Sequence, residues 1–127
     1  MSSMKTSIAG FLLCLTLSSE AADGPELTDI VATCVGRMSA EMEFAWLLHD
    51  AEADHFENQR ERFVEILESL GPPPNPKRQL AARIDAKMAH ARLLTTAHFG
   101  TDKTRADWSK RQAVMMRSAC QNMLLES

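Results

Sequence analysis

The sequence predicts an all-α protein: an up-down-up-down four-helix bundle with one interhelical disulfide, preceded by a cleaved signal peptide. Three observations point there. Apolar residues recur at helical spacing in four successive segments, Pro and Gly punctuate the gaps between them, and two cysteines fall at similar heights of the first and last segments.

Residues 1–21 of the 127 carry the marks of a secretory leader. Lys5 precedes an apolar run from Ile8 to Leu17, and Ser19-Glu20-Ala21 supplies a small-residue cleavage site. A run of about ten residues is too short for a ~30 Å hydrocarbon core, so it reads as removed, leaving no membrane anchor. Cys14 follows Leu13 and not the small residue that lipid attachment needs. The expected address is secretion, with a bacterial periplasm as the compartment. Residues 22–127 then form one domain, large enough for a single core.

Asp23-Gly24-Pro25 opens helix one, expected over about 25–49, with Leu27, Ile30, Val31, Cys34, Met38, Met42, Ala45 and His49 on one face. Asp50 caps helix two, about 52–70, whose stripe is Phe56, Phe63, Leu67 and Leu70 and which stops at Gly71. Pro72, Pro73 and Pro74 make a stiff connector. Asn75 caps and Pro76 opens helix three, about 76–99, with Ala81, Ile84, Met88, Ala91 and Thr95 facing inward. Gly100 closes it. Thr101 or Thr104 caps helix four, about 104–125, where Thr104 and Asp107 resemble a capping box ahead of Trp108, Met115, Ala119 and Met123. Short connectors make consecutive helices antiparallel neighbours.

Cys34 and Cys120 are expected to pair, as thiols do in an oxidising compartment. Closing so long a loop is worth about 4 to 5 kcal/mol in the chain-entropy account. No Cys-x-x-Cys occurs, so thioredoxin chemistry and c-type haem attachment lack their motif.

A net charge of -3 conceals a division. Residues 22–75 hold 12 acids and 3 bases, while residues 76–127 hold 4 and 10. The expected consequence is an acidic hairpin docked on a basic one, with a basic face on helices three and four as the functional alternative. Nucleic acid is not an expected partner, since no aromatic residues are interleaved with the bases to stack on nucleobases.

Several residues interrupt the stripes. Glu41, Arg60, Arg92 and Gln112 fall within the apolar stripes of helices one to four, each roughly 10 to 12 Å from the same end. They are expected to form one buried polar layer, a register device whose surplus positive charge could hold a small anion. His49, His55 and His98 gather at that end too, a weak basis for a metal site because no ligand spacing supports it, and His90 is expected in solvent. Phe44 to Leu48 is apolar right round its helix, which makes Trp46, Leu94 and Trp108 candidate interface residues.

No catalytic motif is present and no cofactor is implied. The expected function is non-enzymatic: a small exported helical protein acting by contact with itself or with another exported protein. The alternative is a periplasmic small-anion or metal carrier that uses the polar layer or the His/Asp cluster.

Overall fold

All four expected helices form, with ends shifted by local chemistry. The computed structural model describes residues 26–126, so the expected leader at 1–21 lies outside the described residues. Helix α1 is Leu27–Leu47, α2 Ala53–Ser69, α3 Pro76–Phe99 and α4 Lys103–Glu126; no strand occurs among the described residues.

α1 stops short of His49 because that residue adopts φ 53°, the left-handed conformation that turns the chain away. Asp50 does not cap α2. Its Oδ1 accepts the Glu52 backbone N–H at 3.0 Å in a turn, and Glu52 itself precedes the first helical residue. Gly71, at φ 80°, ends α2 as expected. Asn75 caps α3 through a 3.1 Å bond from the Arg78 N–H, and Pro76 fills the first helical position. Neither Thr101 nor Thr104 caps α4. Asp102, a stronger cap than Thr, accepts the Arg105 N–H at 3.2 Å, and Thr104 lies inside the helix. Asp107 instead takes the Lys103 ammonium at 2.7 Å, so no capping box forms.

α1 touches each of the other three helices, and α3 also packs on α4. Residue pairings between helices give their directions. Asp29 meets Arg78, Gly36 meets Arg83 to Lys87, and Glu41 meets His90, so α1 and α3 run parallel. The pairs Cys34 with Cys120 and Arg37 with Met116 make α4 antiparallel to α1. The core lies between α1 and α2, where Val31, Val35, Met38 and Met42 meet Phe56 and Phe63; Cys120 and Leu124 of α4 close its side. The cysteines are disulfide-bonded, with Cα atoms 5.5 Å apart.

Gly36 determines how closely α3 approaches. A Cβ there would overlap the Arg83 carbonyl oxygen and lie 3.0 Å from the Lys87 nitrogen, so backbone meets backbone. Such a crossing needs small residues inward, and α3 supplies Ala82 and Ala86 on that side. The expected stripe of α3 therefore faces the other way: Ile84 and Met88 are exposed, with Leu80 beside them, while His90 is buried. α4 is turned by one residue step as well. It buries Ser109, Ala113, Cys120 and Leu124, and leaves Trp108 and Met115 in solvent.

Candidate functional site

Among the described residues the most heavily buried carboxylate is Glu41, 4% exposed in the middle of the fold. α1 brings it inward because Met38, Met42 and Ala45 on either side are core residues. Burying a carboxylate is costly unless donors surround it. Two do so here. His90 Nε2 donates to Oε1 at 2.9 Å, and Arg117 NH1 reaches the same oxygen at 3.4 Å. Hydrogen bonding thus assigns the Nε2–H tautomer to His90, whose Nδ1 is buried without a partner among the described residues. Arg117 is further held by the Phe56 ring, its guanidinium carbon 5.8 Å from the centroid.

The expected layer is only half assembled. Arg60 lies at the level of Glu41 but bonds to Ser39 Oγ at 2.8 Å, and that hydroxyl donates to the Val35 carbonyl. Arg92 is exposed, and Gln112 is half-buried with no hydrogen bond among the described residues. The two missing places go to His90 and Arg117, because α3 and α4 each present a different face from the one their apolar periodicity suggests. One signal for α4 is present in the sequence. A disulfide forces Cys120 inward, and residues three and seven positions before it, Arg117 and Ala113, must then share its face.

Above Glu41 opens a cleft of about 430 Å³. Its walls are apolar, from Phe44, Leu48, Leu94 and Val114, and its rim carries Asp50, Glu52, His55 and Lys110. A second cleft of about 550 Å³ lies at the α3–α4 elbow, between Arg92 and Trp108. The three candidate interface residues are therefore spread out: Leu94 lines the first cleft, Trp108 the second, and Trp46 is half-exposed on α1.

No hydrogen bond or ring contact joins the three histidines among the described residues. His49 occupies the turn after α1, His55 the rim of the Glu41 cleft, and His98 packs edge-on to Phe44 and Phe99. Among the described residues no three His, Cys, Asp or Glu side chains converge to hold a metal.

Charge pairing follows the expected division in part. Arg78 to Asp29 at 2.9 Å, Lys87 to Glu43 at 2.6 Å and Arg117 to Glu41 join the basic half to the acidic half, all of them on α1. The α2 acids Asp54, Glu57, Glu61, Glu65 and Glu68 pair with no base among the described residues. Arg37 spans to α4, donating to the Met116 carbonyl at 3.2 Å; burial lowers its pKa from the ordinary arginine value. No described helix is long and apolar enough to cross a membrane.

Comparison with protein-family models, with curated proteins and with solved structures finds no match. Function is therefore read from the chain's own geometry.

Proposed function

We propose that this chain is a small exported protein, an up-down-up-down helical bundle, that works by docking another protein and not by catalysis. One observation carries the reading. α3 turns its most apolar row outward: Leu80, Ile84 and Met88, spaced by four, are each more than half exposed. The next step in that row is Arg92, at the edge of the Trp108 cleft.

The row's three half-exposed side chains fall well short of the ~800 Å² per partner of a stable complex. The Trp108 cleft extends it with a half-exposed aromatic anchor. That cleft adds Arg92 and Arg105 against Asp102, a positive balance that favours an acidic partner over a second copy of this face. The fitting occupant is an amphipathic helix of another exported protein, with acidic flanks. Export is supported by the leader pattern, and the disulfide is compatible with an oxidising compartment.

A photo-crosslinking residue placed at position 84, with position 61 on α2 as control, tests this in the native host. The expected result is one discrete adduct from 84 and none from 61. Equal adducts from both positions, or none from 84, would count against docking. An adduct of twice the chain mass would replace it with self-association.

A further inference from the structure

A second surface, independent of the α3 row, has the character of a small-molecule site. We propose that the cleft above Glu41 binds an amphiphilic amine, its protonated nitrogen donating to Glu41 Oε2 and its hydrocarbon part lying between Phe44, Leu94 and Val114.

The carboxylate is incompletely met by the protein. Glu41 lines the cleft and is 4% exposed, and among the described residues both of its hydrogen bonds land on Oε1. Oε2 is therefore an acceptor with room for a donor and, unlike His90 Nδ1, it is not sealed from solvent.

The sign of the ligand's charge follows from the other lining groups. Of the two cations that line the cleft, Arg117 is already engaged by Glu41 and by the Phe56 ring, which leaves Lys110 on the rim. Three carboxylates, Glu41, Asp50 and Glu52, line the cleft against two cations, Lys110 and Arg117. A monocation balances them; an anion adds to the excess. The apolar walls call for a hydrocarbon body, and about 430 Å³ is within the range of small-ligand clefts. A small anion, the occupant expected for the polar layer, fits less well.

Isothermal titration of the oxidised protein with n-octylamine, octanoate and octyltrimethylammonium tests head group and charge separately. Octylamine is expected to bind at one site at least tenfold more tightly than octanoate, and more tightly than the quaternary ion, which has no N–H to donate. Hexylamine should be about 16-fold weaker than octylamine, at a factor of about four per methylene. The Glu41 side-chain carboxyl ¹³C resonance should shift with octylamine. Val114→Lys, a change at a partly exposed wall residue, should weaken octylamine at least tenfold, while Met115→Lys outside the cleft leaves it unchanged. The proposal is overturned if octanoate equals octylamine, if Val114→Lys has no effect, or if octylamine fails to bind at millimolar concentration.

Discussion

Replacing Gly36 by Ala probes the packing on which the rest of the fold depends. In an ordinary helix interior this change stabilises by about 1 kcal/mol, because Ala is the better helix former. Here the added methyl overlaps the Arg83 carbonyl oxygen and also lies 3.2 Å from the Ala86 Cβ. The nearest obstacle is backbone, so no rotamer change relieves it and α3 must move away. Overpacking costs about 1 to 3 kcal/mol, and rigid backbone favours the upper end, leaving a net loss of about 2 kcal/mol. For a domain near 100 residues that lowers Tm by roughly 8 to 16 °C, read by circular dichroism at 222 nm. The same displacement lengthens the 2.9 Å bond between His90 and Glu41, so the His90 ring resonances should shift in NMR spectra. A Tm that rises by a few degrees would show that propensity wins and that α1 and α3 are not in backbone contact.

Three other measurements bear on the structure. Ile84→Lys should change unfolding free energy by less than about 0.5 kcal/mol in urea titrations, since the side chain is half in solvent; a loss of 2 kcal/mol or more would return Ile84 to the core. Cys34→Ala with Cys120→Ala should lower stability by about 4 kcal/mol, and a loss below 1 kcal/mol would remove the disulfide from the fold's support. The Lys103 hydrogen bond, and then its charge, holds the Asp107 carboxyl below the usual carboxylate range. What that pairing adds is present above the ordinary Asp value and lost as pH falls through the depressed one. In Lys103→Ala the Asp107 ¹³C titration midpoint should rise; an unchanged midpoint would contradict the pairing.

Local signals in the sequence are legible where one residue decides the outcome. Pro76 and Asn75 start α3 and Gly71 ends α2, because φ and a missing N–H act on the spot. The Cys34 to Cys120 pairing is legible for a similar reason, being a matter of height and redox chemistry. Orientation about the helix axis is not. Periodicity assumes that a helix buries its most apolar row, and α3 breaks that assumption: a close approach at Gly36 selects for smallness, so Ala86 goes inward and Ile84 outward. Each helix turned by one residue step replaces a whole set of neighbours. That is why the pattern places Glu41 in a buried polar group, yet two of its three expected companions, Arg92 and Gln112, give way to His90 and Arg117.

The disulfide also has a consequence for biosynthesis. Cys34 and Cys120 are 86 positions apart, so the first thiol emerges well before its partner has been made. At synthesis rates of about 5 to 20 residues per second that interval is roughly 4 to 17 s. During it Cys34 is a reactive sulfur on the helix that all the others must cover, its partner Cys120 not yet made. Residues 26–126 contain just these two cysteines, so that stretch has one way to close on itself. Scrambled isomers do not arise within that stretch; the competing products are mixed disulfides with other thiols, formed before α4 arrives.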